Sequence, residues 1–249
     1  LLMSFGERLS AYIVSEFLMA ELLDARGLVK TDENFGNANV DFETTNKNIL
    51  KYFAEHKNLH VITGFIASTS NNETTTIGRG GSDYTASIFG AALSCNEVEI
   101  WTDVDGVMTA DPRKVENSFP VERMSYEEAM ELAYFGAKVI YPPTMLPAMR
   151  KEIPIRIKNT FNPGCGGTLI SEKTDDITIV KGISSISEIS LLRIEGSGMI
   201  GVAGVSMRLF GALAKKSINV IMITQASSEH SICVAIEPKN AVMAKKAVE

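Results

Sequence analysis

The sequence predicts an α/β fold with a largely parallel sheet, followed by a smaller ferredoxin-like βαββα unit. Three observations carry that prediction. Short apolar runs of strand length alternate with helical patterns as far as residue 158. Two polar, glycine-bearing clusters stand just after two of those runs, where ligands gather in such sheets. Beyond the loop-like stretch Asn162-Pro163-Gly164-Cys165-Gly166-Gly167 the order changes to strand, helix, strand, strand, helix.

Residues 4–23 read as a helix. Ser4 with Glu7 has capping-box spacing, and Leu9, Ile13, Phe17 and Ala20 recur at helical intervals. A second helix is predicted over 46–56, then an apolar strand over 60–65 that meets a glycine. Residues 74–77 lead into Gly78-Arg79-Gly80-Gly81-Ser82-Asp83 and a helix over 84–93. The run 98–102 is a strand closing on Asp103. Ser125 and Glu128 form another capping box, opening a helix to about residue 135 that Gly136 breaks. A helix over 143–151 and a strand over 153–158 follow. The second unit begins with a strand over 189–194 and an amphipathic helix over 202–216. Strands over 218–224 and 231–236 and a helix from Lys239 complete it. The boundary is placed near Gly182, giving domains 1–182 and 183–249. Ile218, Val220, Met222 and Ile232 are read as core strand positions.

Composition narrows the function. With 249 residues, 45% hydrophobic and 22% charged, the chain is long enough for one large or two ordinary domains and too apolar for a disordered one. A net charge of -6 without a Lys/Arg-rich run gives no support to a nucleic-acid role. Apolar stretches stop well short of a membrane span, and no leader pattern is visible. Cys95, Cys165 and Cys233 are odd in number and far apart, which fits reduced thiols and a cytoplasmic location. His56 and His60 read as surface residues near a helix end, not as a zinc pair, and no residues are assigned as metal ligands. Both ends fall inside helical patterns, so the chain is expected to be a fragment of a longer protein.

The cluster at residues 78–83 is a glycine-rich turn between a strand and a helix. Its glycines let backbone approach a ligand, the helix start favours an anion, and Arg79 offers a planar fork for a carboxylate or phosphate. Ser82 or Asp83 as a simple N-cap would explain those two residues but not an arginine set among three glycines. It is not a Walker-type loop. The second cluster is Thr102-Asp103-Val104-Asp105-Gly106, with Asp111-Pro112-Arg113 soon after. Thr102 and Asp103 can serve a nucleotide's sugar or base edge and Arg113 a phosphate; alone, the Asp-Gly and Asp-Pro pairs read as turns. Lys138 is either a solvated charge at a helix end or a point charge on a transferring phosphate. Gly196-Ser197-Gly198-Met199-Ile200-Gly201 fits a dinucleotide fingerprint by spacing. The following strand ends without the acidic residue such a site needs, so it reads as a turn or ligand-contacting loop.

In order and spacing, Ser4-Phe5-Gly6-Glu7-Arg8-Leu9-Ser10, residues 78–83, residues 102–106, Ala110-Asp111-Pro112-Arg113 and Phe135-Gly136-Ala137-Lys138-Val139 resemble the aspartate kinases of the amino acid kinase superfamily. That resemblance implies a carbamate kinase-like parallel-sheet domain, here partial, and phosphorylation of the aspartate side-chain carboxylate by ATP with Mg2+. It implies that Arg79 grips the substrate's α-carboxylate, Glu7 faces its ammonium, and Ser82 and Asp83 complete the pocket. Asp83 and Lys138 would be catalytic. Thr102, Asp103, Arg113, Lys138 and Val139 would line the nucleotide. Residues 219–231 resemble the ACT-type unit of threonine-sensitive kinases fused to homoserine dehydrogenase, with Asn219 and Gln225 as effector-site candidates, threonine as effector and a homodimer or higher oligomer as the assembly. The family's opening Lys-Phe-Gly-Gly loop has no counterpart here, and Tyr141-Pro142 stands where relatives have His-Pro, so the chain alone is expected to be inactive. The alternatives are a kinase acting on glutamate or a nucleoside monophosphate, and a module that only binds effector and dimerises. Glu7 with Arg79 favours an amino-acid substrate. Arg79 and Asp103 are expected to share one cavity.

Overall fold

The computed structural model describes residues 2–134, 139–174, 178–196, 199, 201–225 and 231–249. It divides into two compact units, Leu1–Ser185 and Ile186–Glu249.

Helix α1 (Leu2–Leu18) opens the first unit, followed by strands β1 (Glu21–Leu23) and β2 (Lys30–Thr31). The helix therefore starts before Ser4, which is buried inside it, and it stops at Leu18. Met19, at φ 53°, turns the chain, and residues 21–23 become a strand instead of the helix end expected there. The face of α1 that packs is its small one, Ser4, Ala11 and Ser15, while Leu9, Ile13 and Phe17 are exposed.

Helix α2 (Phe42–Glu55) starts four residues earlier than its apolar pattern suggests, because Asp41 caps it by accepting from the Thr44 amide at 3.1 Å. Strands β3 (His60–Ile62), β4 (Ile66–Thr69) and β5 (Thr74–Thr76) follow, then α3 (Gly81–Leu93) and β6 (Val98–Thr102). His60 is not a surface residue: its ring is turned in between Tyr52 and Phe53, and its Nε2 lies 3.1 Å from Glu21.

Strand β7 (Arg123–Ser125) feeds α4 (Tyr126–Tyr134), whose capping box is reciprocal. The Ser125 amide donates to Glu128 at 2.7 Å and the Glu128 amide to Ser125 Oγ at 3.1 Å. Helix α5 (Pro142–Met149) and strands β8 (Ile155–Asn159) and β9 (Thr168–Ser171) close the unit. Among the described residues four of its six strand pairings are parallel (β1 with β3, β2 with β4, β6 with β8, β7 with β9). The pairs β4–β5 and β8–β9 are antiparallel. One apolar core joins β6, β8 and β9 to α4 and α5 around Met124, Tyr126, Met145, Ile155, Ile157 and Ile170. A second lies between α2, α3 and the strands 21–23 and 66–69.

The second unit runs β10 (Ser190–Glu195), α6 (Val205–Ala214), β11 (Met222–Gln225), β12 (Ser231–Ile236) and α7 (Ala241–Val248). Its antiparallel sheet has the order β10-β12-β11. Helix α6 starts at Val205, after Gly204 at φ 87°, not at residue 202. Ile218 and Ile232 are core and Val220 packs against them. Met222, expected in the core, is 45% exposed because β11 is an edge strand with its outer face open.

Candidate active site

Strand β5 ends at Thr76, and the chain must then reverse into α3. Gly78 and Gly80 make that possible at φ 81° and 67°, conformations that favour glycine. Gly80 is the N-cap of α3. A Cβ on Gly81 would fall 2.6 Å from the Phe65 ring, and one on Gly78 would fall 2.2 Å from Asn37 Oδ1. The glycines are therefore demanded both by turn geometry and by close approach. Phe65 itself is left-handed at φ 65°, an uncommon conformation for a bulky residue. It is held there by hydrogen bonds: its amide meets Thr85 Oγ1 at 3.1 Å, and its carbonyl accepts from the Ile77 amide at 3.1 Å.

Around this turn lies an open cavity of about 330 Å3 lined by Glu7, Phe65 and residues 78–83. The structure thus brings together all four residues expected to hold the substrate: Glu7, Arg79, Ser82 and Asp83. Burial pushes the carboxyl pKa of both Glu7 and Asp83 above the ordinary range. The Arg79 guanidinium lies 5.3 Å from the centre of the Tyr141 ring, a cation–π placement. The cavity combines two carboxyl groups, one guanidinium and the amides of a helix start, groups able to meet an ammonium and a carboxylate.

A second, more enclosed cavity of about 440 Å3 opens beyond the end of β6. Thr102, Asp103, Arg113 and Val139, all expected to face nucleotide, line it. Its apolar wall is Val104, Met108, Ala110, Pro112, Leu132 and Val139. Arg113 chelates Asp111 through Nε at 3.0 Å and an Nη at 2.9 Å, and this hydrogen bonding holds the Asp111 carboxyl below its usual range. Asp105 does not join the cavity; it accepts from Asn159 at 2.8 Å and Asn162 at 3.1 Å and ties the loop after β6 to β8. Lys138 lies outside the described residues.

Arg79 and Asp103 therefore line two cavities, not the single shared one expected from sequence. The two are adjacent through one short piece of chain. Val139 lines the second cavity, and Tyr141, two Cα steps of about 3.8 Å each further on, lies under Arg79 of the first.

In the second unit, Gln225 lines a cavity of about 230 Å3 with Met199, residues 202–206 and Ile232. Asn219, the other effector candidate, is exposed on the loop before β11 and does not line it. Sequence reasoning missed Phe65, Met108 and Leu132 as lining residues. A bulky residue forced into a left-handed turn carries no one-dimensional signature, and Met108 and Leu132 read as ordinary apolar positions.

Comparison with known proteins fits this geometry. The amino acid kinase family profile matches residues 1–159, and an ACT domain profile matches residues 192–249. The chain belongs to the amino acid kinase family. It is 42% identical over 244 residues to the chloroplastic bifunctional aspartokinase/homoserine dehydrogenase 2 of Arabidopsis thaliana, covering 94% of this chain and 27% of that protein. It is 35% identical to the lysine-sensitive aspartokinase 3 of Escherichia coli, covering 95% of this chain and 54% of that one. A crystal structure of E. coli aspartokinase III in complex with aspartate and ADP superposes with a TM-score of 0.82 at 34% identity, over 95% of this chain and 54% of that one. The chain thus spans about a quarter to a half of the length of these relatives. No helix among its described residues is long and apolar enough to cross a membrane.

Proposed function

We propose that the first unit is the aspartate- and nucleotide-binding part of an aspartate kinase, transferring the γ-phosphoryl group of ATP to the side-chain carboxylate of L-aspartate. The observation that carries this reading is the joint presence of Glu7, Arg79, Ser82 and Asp83 around one cavity whose neighbour is walled by Thr102, Asp103 and Arg113. Arg79 binds the α-carboxylate through its fork, and Glu7 pairs with the ammonium. Burial raises the Glu7 carboxyl pKa, and the substrate ammonium beside it would draw that pKa back down.

The nucleotide lies along the second cavity, with Arg113 toward its phosphates; the role of Lys138 on those phosphates rests on the family resemblance alone. The reaction requires in-line alignment and neutralisation of phosphoryl charge, with no covalent intermediate on the protein. Mg2+ would enter with the nucleotide, bound to its phosphates. That ion would neutralise charge on the phosphoryl oxygens. Asp83 would help position the reacting carboxylate.

The second unit binds an amino-acid effector beside Gln225, with threonine favoured over lysine because residues 219–231 resemble the corresponding stretch of threonine-sensitive kinases. The exposed Met222 and Ile223 on edge strand β11 support pairing of two copies through this sheet. Three free cysteines support a reducing, cytoplasmic setting.

Calorimetric titration tests the substrate. L-Aspartate should bind the 249-residue chain at least about tenfold more tightly than L-glutamate; the reverse preference would replace the assignment with a glutamate kinase. Titration with lysine alone producing heat, and threonine none, would overturn the effector.

A further inference from the structure

The second cavity has a wall that none of the phosphate- or base-binding motifs supplies. Ile183, Ser184 and Ser185 line it together with Val104 and Met108. They are the last three residues of the first unit, and Ile186 begins the second.

This stretch is fastened to the kinase body along its length. The Lys181 ammonium lies 2.9 Å from Glu128 with only 6% of its side chain exposed. Burial works against the Glu128 carboxylate, but the Ser125 amide and Lys181 outweigh it and hold its pKa below the ordinary range. Gly182 lies so close to Thr109 that a Cβ would come within 3.1 Å of the Thr109 carbonyl. The Ile183 amide donates to that same carbonyl at 2.7 Å. Lys114 Nζ donates to Ser185 Oγ at 2.9 Å. The backbone is thus held, yet the Ile183 side chain is 71% exposed over a cavity whose other walls are mostly apolar. An exposed aliphatic side chain on a held backbone, lining a largely apolar slot with two hydroxyls beside it, has the form of a cover for a flat heteroaromatic ring with polar edges.

We propose that Ile183, Ser184 and Ser185 form part of the nucleotide-binding site, with Ile183 covering the base and the two serines meeting its polar edge, so that bound nucleotide holds the segment that enters the effector unit. The proposal rests on reading the cavity as a nucleotide site and adds a third wall to it. Because the segment continues directly into Ile186, the same residues serve the nucleotide and carry the connection between the units. Any effector that shifts residues 183–185 would then change nucleotide affinity, and nucleotide would change effector affinity by the same factor.

The test uses the 249-residue chain with ADP as probe, followed by calorimetry and by hydrogen–deuterium exchange of peptides spanning residues 181–188. Ile183→Ser should weaken ADP about tenfold, the scale of losing one buried aliphatic side chain. Its melting temperature should not change, since the side chain it replaces is exposed. ADP should slow exchange at residues 182–186 in the unaltered chain. Asp103→Ala is the companion variant for the cavity as a whole. If Asp103→Ala weakens ADP while Ile183→Ser does not, and exchange at 182–186 is unaffected by ADP, the third wall is refuted and the nucleotide reading survives. If ADP fails to bind the unaltered chain, or binds it with no effect of either variant, both readings fall.

Discussion

Asp83 and Glu7 are partly buried carboxyls, and that burial raises the pKa of each in the folded chain. The sign of the consequence is fixed by linkage. A folded pKa above the unfolded one means the native state binds more protons in the window between them, so stability is fully present below the ordinary carboxylate pKa and declines as pH rises through the folded values. Replacing Asp83 by Asn removes its share of that decline. Melting curves of the ligand-free chain from pH 4 to pH 8 should therefore show Asp83→Asn more stable than the unaltered protein at pH 7, with the gap closing toward pH 4. A less stable variant at pH 7 would show that Asp83 has a native partner. Arg79 makes the opposite case: it is exposed, and its guanidinium lies at cation–π distance from Tyr141. Arg79→Ala should leave the melting temperature unchanged while weakening aspartate by about 10- to 100-fold, the range for losing charge-assisted hydrogen bonds. Arg79→Lys should recover only part, because an ammonium cannot make the paired contact. The Tyr126 hydroxyl, donating to the Ile153 carbonyl in the core, has its pKa pushed up to about 12 by burial. Tyr126→Phe leaves that carbonyl unpaired and should cost about 1–3 kcal/mol in denaturant titration.

At the scale of elements, legibility in the sequence followed the range of the interaction. The Ser125–Glu128 capping box is local, and the structure forms both of its hydrogen bonds. Ser125→Ala should lower stability by about 1 kcal/mol in urea titration. The same spacing at Ser4 and Glu7 forms no helix start, since α1 already includes Leu2 and Met3. There Glu7 lines the cavity around residues 78–83 instead. The glycine triplet was legible because positive φ and close approach admit few other residues. Strands β7 and β9 were not legible: each is three or four residues long and defined by parallel pairing with a distant partner. Periodicity alone also could not say which face of α1 is covered. It marked Leu9, Ile13 and Phe17, yet these are exposed and the small residues Ala11 and Ser15 pack. Replacing Leu9, Ile13 and Phe17 together by Ser should raise the solubility of the 249-residue chain without lowering its melting temperature. A melting temperature several degrees lower would mean that the face is covered in solution.

For the whole molecule, the central claim is that two small-molecule sites sit side by side on one kinase unit, separated by the short stretch from Val139 to Tyr141. The sequence pointed to residues that line each cavity but not that there are two cavities, because which side of a chain segment a residue serves is decided by tertiary packing. It also did not announce residues 183–185, whose composition is that of a linker. Two-dimensional amide NMR of the isotopically labelled chain, titrated separately with L-aspartate and with ADP, tests the claim most directly. Aspartate should move resonances of Glu7, Arg79, Ser82 and Asp83 and leave residues 104–113 in place. ADP should move Thr102, Asp103, Val104, Arg113 and Val139 and leave Glu7 in place. A single set of resonances responding to both ligands, or aspartate shifts that centre on residues 102–113, would contradict it.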